Sequence, residues 1–198
     1  MTVEATRIPL DAPRAAKPQG EVKSAARTLE VLEMLAGEQH PMTLSEIAAR
    51  LGLPVSSLHQ LLKTLVARGW LSVNGTAYSI GVRALLTGMT FIERDPVVQA
   101  MKPVLSALRT ELGETVHLAR LDGGRVVYLL SRESEHQLRM VSRVGQSLPA
   151  HATALGKAAL SRLRDDDIRS RFPNGLERVT DNTITDMDAL LENLRQSR

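Results

Sequence analysis

From Val22 onward the apolar positions recur at intervals of three and four, through Ala25, Ala26, Leu29, Leu32 and Leu35, until Gly37 interrupts them. That spacing puts one face of a helix against a core. A second helix is predicted from Thr43, where Glu46 three residues on completes a capping box. It turns Leu44, Ile47, Ala48 and Leu51 inward and ends at Gly52. Only Leu53 and Pro54 separate it from a third helix with a stripe at Leu58, Leu61, Leu62 and Leu65, and Gly69 fits the C′ position. The period then falls to two in Trp70-Leu71-Ser72-Val73 and Thr76-Ala77-Tyr78-Ser79-Ile80. Asn74-Gly75 between them predicts a hairpin whose turn is that dipeptide, both residues at positive φ. Three helices followed by a hairpin, in this order, make a winged helix-turn-helix.

A helical segment over 82–94 follows, then a longer helix from Pro96 carrying Val97, Val98, Met101, Val104, Leu105, Leu108 and Leu112, stopped by Gly113. Three runs of period two, over 115–121, 125–132 and 137–144, predict successive antiparallel strands. A run of small residues over 149–157 leads into a helix expected to reach Leu163. A short helix over 165–171 and a last one, capped by Thr185 with Asp188, close the chain. The fold class is α+β. The expected organisation is a disordered arm over 1–20, a winged helix-turn-helix over 21–83, a linker helix over 84–102 and an effector-binding domain over 103–198.

Composition narrows the function classes. The chain has 198 residues, 43% of them hydrophobic, and no cysteine, so disulfides and thiolate chemistry are absent. No run of about eighteen apolar residues exists to span a bilayer, and the first twenty residues lack the apolar stretch of a secretory signal. A cytoplasmic location is expected. The net charge of +3 is mild, but no acidic residue stands between Glu46 and Glu93, while Arg50, Lys63, Arg68 and Arg83 do. A surface facing phosphates needs such a stretch.

On the third helix Ser56, Ser57, His59, Gln60, Lys63 and Thr64 lie opposite the leucine stripe. Short polar groups in the first turn suit phosphates or base edges, Gln60 offers a bidentate amide to adenine, and Lys63 suits phosphate or guanine. One amphipathic helix alone would equally present a solvated polar face, and winged helices also bind proteins. The capped helix, the short turn and the wing in sequence favour duplex DNA. Catalysis finds no support, because no G-x-S-x-G, H-E-x-x-H, P-loop or G-x-G-x-x-G is present. His117, His136 and His151, drawn with Asp122 or Ser147, therefore make no convincing acid–base or nucleophile set. The scattered histidines lack metal-ligand spacing. Neither enzyme activity, cofactor nor metal is expected.

Val22-Lys23-Ser24-Ala25-Ala26-Arg27, Leu44-Ser45-Glu46-Ile47-Ala48, Leu51-Gly52-Leu53-Pro54 and Tyr78-Ser79-Ile80-Gly81 resemble the IclR family of bacterial transcriptional regulators. So do Gly113-Glu114-Thr115-Val116-His117-Leu118, Val144-Gly145 and the run from Leu148 to Ala158 that contains His151-Ala152-Thr153-Ala154-Leu155-Gly156-Lys157. The resemblance implies a transcriptional regulator acting as a homodimer or tetramer on a pseudo-palindromic operator, and repression is expected because blocking a promoter requires only occupancy. Its DNA contacts would come from Arg27, Thr43, Ser56, Ser57, His59, Gln60, Lys63, Thr64, Asn74 and Gly75. It also implies a GAF-like effector domain that takes a small organic acid or aromatic metabolite, through His117, Ala152, Thr153, Ala154, Leu155 and Gly156. The small side chains let a carboxylate approach backbone N–H groups at a helix start, with the Thr153 hydroxyl as a further donor. Gln60 stands where the family usually has arginine. The chain ends at Arg198 where members continue with further strands and a helix. The effector sheet is therefore expected to be incomplete, with Val127, Leu129, Met140 and Val144 partly uncovered and a weak response to metabolites.

Overall fold

The computed structural model describes residues 20–136 and 144–196, so the arm over 1–19 and residues 137–143 of the expected third strand lie outside the described residues. Two compact units divide between Arg94 and Asp95. That division falls inside the stretch 84–102 read as one linker helix, because Asp95 caps a new helix there. Among the described residues no helix is long and apolar enough to cross a membrane.

The first unit contains α1 (Lys23–Gly37), β1 (Met42–Thr43), α2 (Leu44–Leu51), α3 (Val55–Ala67), β2 (Leu71–Asn74), β3 (Ala77–Ile80) and α4 (Val82–Arg94). Val31, Leu35, Ile47, Ala48, Leu58, Leu62, Leu65 and Leu71 form its buried core. Each fully buried leucine contributes about 2 kcal/mol of transfer free energy. The capping box on α2 is complete. Thr43 Oγ1 accepts from the Glu46 N–H at 3.4 Å, while Glu46 Oε2 accepts from the Thr43 N–H at 2.7 Å and its hydroxyl at 2.8 Å. The Thr43 backbone bond first, and the hydroxyl second, hold the Glu46 carboxyl below its usual range. Gly52, at φ 62°, closes α2. The end of α3 is a Schellman motif. Gly69 at φ 74° donates to Val66 O at 2.9 Å, and Trp70 donates to Leu65 O at 2.9 Å.

The wing differs in register from the sequence expectation. Asn74 pairs with Ala77, so the two turn residues are Gly75 and Thr76, not Asn74 and Gly75. Only Gly75 takes positive φ, at 59°, and no other residue type does so among the described residues. A glycine-first turn of this kind suits the strand twist as well as an Asn-Gly turn does. The sheet also has a third strand, in the order β1-β3-β2. The two residues of β1 are too few to show a period.

The second unit contains α5 (Pro96–Leu112), β4 (Val116–Asp122), β5 (Arg125–Arg132), β6 (Ser147–Pro149), a 3-10 turn (Ala150–Ala152), α6 (Ala154–Leu160), α7 (Asp165–Ser170) and α8 (Met187–Gln196). Asp95 Oδ1 accepts from the N–H groups of Val97 and Val98, each at 3.0 Å, and its other oxygen takes Arg120 Nη2 at 2.6 Å. The Val98 bond first, and Arg120 next, hold the Asp95 carboxyl low. The antiparallel sheet runs β4-β5-β6. Its third described strand is thus Ser147–Pro149, and Val144 stands in a turn. Helix α6 stops at Leu160, short of Leu163, and α8 is capped by Asp186, whose Oδ1 accepts from the Ala189 N–H at 2.8 Å, rather than by Thr185.

Val126, Tyr128, Ala150, Leu160, Ile168, Leu190, Leu191 and Leu194 form the core against one sheet face. The expected uncovering of β5 is not found. Leu129 is buried and Val127 half-buried, because β5 is the central strand. Val144 is exposed as expected and Met140 lies outside the described residues, while further exposed apolar groups lie on α5, at Val97, Val104, Leu108 and Leu112.

Candidate nucleic-acid interface and effector site

The leucines of α3 face the core of the first unit, and this fixes what the helix offers outward. Ser56, Ser57, His59, Gln60, Lys63 and Thr64 are all exposed. At about 100° per residue, Ser56, Gln60, Lys63 and Ala67 fall along one line of that face. The Ser57 hydroxyl donates to Pro54 O at 3.0 Å and the Thr64 hydroxyl to Gln60 O at 2.9 Å. Both hydroxyls keep lone pairs but have spent their protons on the helix backbone. Among the described residues, no hydrogen bond or ion pair holds the side chains of His59, Gln60 and Lys63.

The remaining sequence-derived DNA residues are placed less uniformly. Thr43 is half-buried and commits its hydroxyl to the capping box. Arg27 is half-buried on α1. Asn74 ends β2 and Gly75 opens the wing turn, both exposed. Of the four cations in the acid-free stretch, Arg50 is paired with Glu38 at 2.9 Å, which leaves Lys63, Arg68 and Arg83. A cross-strand bond between Ser72 Oγ and Ser79 Oγ, 2.8 Å long, ties the two wing strands.

The effector residues divide between packing and open chemistry. Gly156 is buried, and a Cβ on it would lie 2.1 Å from Ala150 O, so only glycine permits that approach. Leu155 packs into the core. Thr153 is the N-cap of α6, its Oγ1 accepting from the Gly156 N–H at 3.0 Å, which leaves its proton to donate. Ala152 is half-buried and Ala154 exposed. His117 lies on β4, its ring edge-on to Tyr128 with centroids 5.2 Å apart. Burial holds its imidazole below the usual histidine range.

Sequence reasoning missed the partner of His117. Leu118 pairs with Leu130 and Ala119 with Tyr128, so Leu129 is the extra residue of a β-bulge. The bulge shifts the alternation of β5 by one and sets Ser131 directly across from His117. His117 Nδ1 and Ser131 Oγ are both buried without a hydrogen-bond partner among the described residues. Two orphaned polar atoms side by side make a place for a polar ligand or water. No period-two pattern reveals a bulge, so Ser131 carried no sequence signal.

An exposed polar helix, a wing and an acid-free flank are the features of a winged helix-turn-helix DNA-binding unit. Residues 24–75 match the model of the IclR helix-turn-helix domain, and residues 89–198 that of the bacterial transcriptional regulator IclR C-terminal domain. The chain belongs to the IclR family. It is 32% identical to the transcriptional repressor IclR of Escherichia coli, over 96% of this chain and 74% of that protein. The IclR transcriptional regulator structure from Alicyclobacillus acidocaldarius matches with a TM-score of 0.75 at 28% identity, over 90% of this chain and 73% of that one. An IclR homologue from Microbacterium hydrocarbonoxydans complexed with 4-hydroxybenzoate shares the fold, with a TM-score of 0.68 at 24% identity over 88% of this chain and 73% of that one. The chain spans 66% to 74% of the length of the first curated relatives it matches.

Proposed function

We propose that this chain represses a metabolic operon by laying α3 in the major groove of a pseudo-palindromic operator, as one half of a homodimer. The observation that carries the reading is the exposed line Ser56–Gln60–Lys63 on a helix whose other face is locked into the core. Gln60 reads a base edge, Lys63 holds a phosphate, and Ser56 with Ser57 fixes the entry of the helix. The wing at Asn74-Gly75 touches the backbone beside the groove, while Arg27, Thr43, His59 and Thr64 are secondary members of the surface. Repression is favoured because occupancy of a promoter suffices, and the E. coli relative bears the name of a repressor. The exposed apolar side chains of α4, at Val82, Leu85, Leu86 and Met89, favour a second copy as the partner.

The proposed effector is a small organic or aromatic carboxylate at the face where His117 and Ser131 lack partners, with Thr153 and the backbone around Ala152 and Ala154 completing it. Neutral His117 and the Ser131 hydroxyl each donate or accept, as a carboxylic or phenolic ligand requires. 4-Hydroxybenzoate is the first probe, since a protein of the same fold is complexed with it. A mobility-shift titration with the DNA upstream of the encoding gene tests the reading. Retarded duplex at low salt, lost steeply as salt rises, supports it, and no retardation of any duplex refutes it. Release by 4-hydroxybenzoate would support an effector-responsive repressor. Binding untouched by a panel of small acids would favour the weak response expected from sequence.

A further inference from the structure

We propose that Arg68 and Arg83 form a phosphate clamp at the C-terminal end of α3, distinct from the base-reading line and resting on the DNA reading above. Helix α3 has 13 residues, so it is about 20 Å long at 1.5 Å per residue. The major groove is only about 12 Å wide. A helix whose first turns enter the groove must therefore end over a phosphate strand, and the cations at that end meet it. Arg68 is the C-cap of α3 and is exposed. Arg83, in the first turn of α4, is also exposed, and the fold brings it to the same place. Its N–H donates to Gly69 O at 3.2 Å, and its Cγ lies 3.2 Å from where a Cβ on Gly69 would stand.

The junction holding the two arginines is built tightly. Gly81 donates to Trp70 O at 2.8 Å, and a Cβ on Gly81 would lie 2.3 Å from Gly69 O. Two exposed arginines thus adjoin one glycine, Arg68 as its chain neighbour and Arg83 through its backbone and Cγ, with no carboxylate anywhere between residues 47 and 92. Like charges held together repel unless an anion joins them, and the phosphate diester of duplex DNA is the anion this surface faces. A cation at a helix C-terminus also suits the helix dipole, and that purely structural role predicts a different result.

The test uses the full chain, the DNA upstream of its gene and an unrelated duplex of equal length. Affinity is measured by fluorescence anisotropy across a salt series for the parent, R68Q, R83Q and R83K, with thermal melting of each. Glutamine keeps the stem that covers Gly69 and removes only the charge. Each glutamine variant should flatten the log–log salt slope by about 0.9, which is roughly an eightfold loss at 0.1 M salt relative to 1 M. The loss should be equal on both duplexes, melting should be unchanged, and R83K should retain the parental slope. Parental slopes in R68Q and R83Q, or a loss confined to the upstream DNA, overturn the clamp while leaving the DNA reading intact. Lowered melting with parental slopes assigns the arginines to a purely structural role and also overturns it. A parent protein that binds neither duplex overturns the DNA reading itself.

Discussion

The two units treat their polar groups in opposite ways. In the DNA-binding unit the hydroxyls of Thr43, Ser57 and Thr64 are spent on caps and helix backbone, and Arg50 is paired with Glu38. What stays free is on the surface, at Gln60, Lys63, Arg68 and Arg83. In the effector unit buried side-chain atoms lack partners among the described residues, at His117 Nδ1, Ser131 Oγ, His151 Nδ1 and Arg171 Nε. The first unit is finished as a fold and open as a surface, which suits a rigid reader of an outside polymer. The second leaves buried polar atoms unsatisfied on half-buried residues of its sheet, which suits a small guest that reaches them. Orphaned buried polar atoms cost about 1–3 kcal/mol each, so filling that face should stabilise the second unit and not the first.

The comparison breaks most visibly at two glycines. A methyl at Gly81 would lie 2.3 Å from Gly69 O, and one at Gly156 would lie 2.1 Å from Ala150 O. Overpacking of this kind against fixed backbone should cost about 3 kcal/mol. Gly81→Ala should lower the melting of the first unit and remove duplex binding. Gly156→Ala should lower the second and leave binding to an unrelated duplex intact. Scanning calorimetry with anisotropy on both variants checks this, and identical losses from the two changes would end the division of labour argued here.

Within the DNA-binding surface, Gln60→Ala should cost roughly 1–3 kcal/mol on the operator and relax base preference at one position. Lys63→Gln should instead weaken every duplex alike and flatten the salt slope. Binding measured on operator and scrambled duplexes separates the two roles. Operator affinity unchanged by both substitutions would mean that α3 is not the reading helix.

Gly75 comes next in size. At φ 59°, with open space around it, it is held by backbone conformation and not by crowding. A β-branched residue there should cost about 1–2 kcal/mol in hairpin geometry. Gly75→Val should therefore weaken duplex binding while α1, α2 and α3 stay folded, as helical circular dichroism will report. Collapse of the whole unit would make the wing part of the core.

How much of this was legible in the sequence follows the range of the interactions. Helix α2, with Thr43, Glu46 and Gly52, and the end of α3 at Gly69 were readable because caps act over three or four residues. The wing was readable as a hairpin, but its register was off by one, since Asn-Gly and Gly-Thr turns both fit the same letters. β1 and β6 were missed because two or three residues carry no period, and they exist only through pairing with distant strands. The cap of α8 was misplaced by one residue for want of any mark separating Thr185 from Asp186. Of the candidate contacts, the face of α3 followed directly from its leucine stripe. Ser131 depends on a bulge that only the pairing with β4 defines, and Arg83 reaches Gly69 only through the closed hairpin.

The smallest effect concerns protons at the effector face. Burial lowers the folded pKa of His117 beneath the unfolded value of about 6.5. Between those two values the unfolded chain binds a proton that the folded one refuses, so stability falls as the pH drops. The contribution is whole above about pH 6.5 and is lost as the pH passes down through the folded pKa. Tyr128, edge-on to His117, is itself pushed up by burial, so it stays neutral across this window. Replacing His117 with Gln keeps a neutral polar side chain and removes the titration. The parent should thus lose more stability than His117→Gln when the pH is lowered from 7.5 to 5.5, and the difference should lie in the melting of the second unit. A carboxylate that accepts a hydrogen bond from the ring would favour the protonated form and shrink the gap. Equal pH dependence in the two proteins, followed by chemical denaturation, would show that His117 is no more desolvated than a surface histidine, and the contrast between an open surface and an unsatisfied interior would lose its second half.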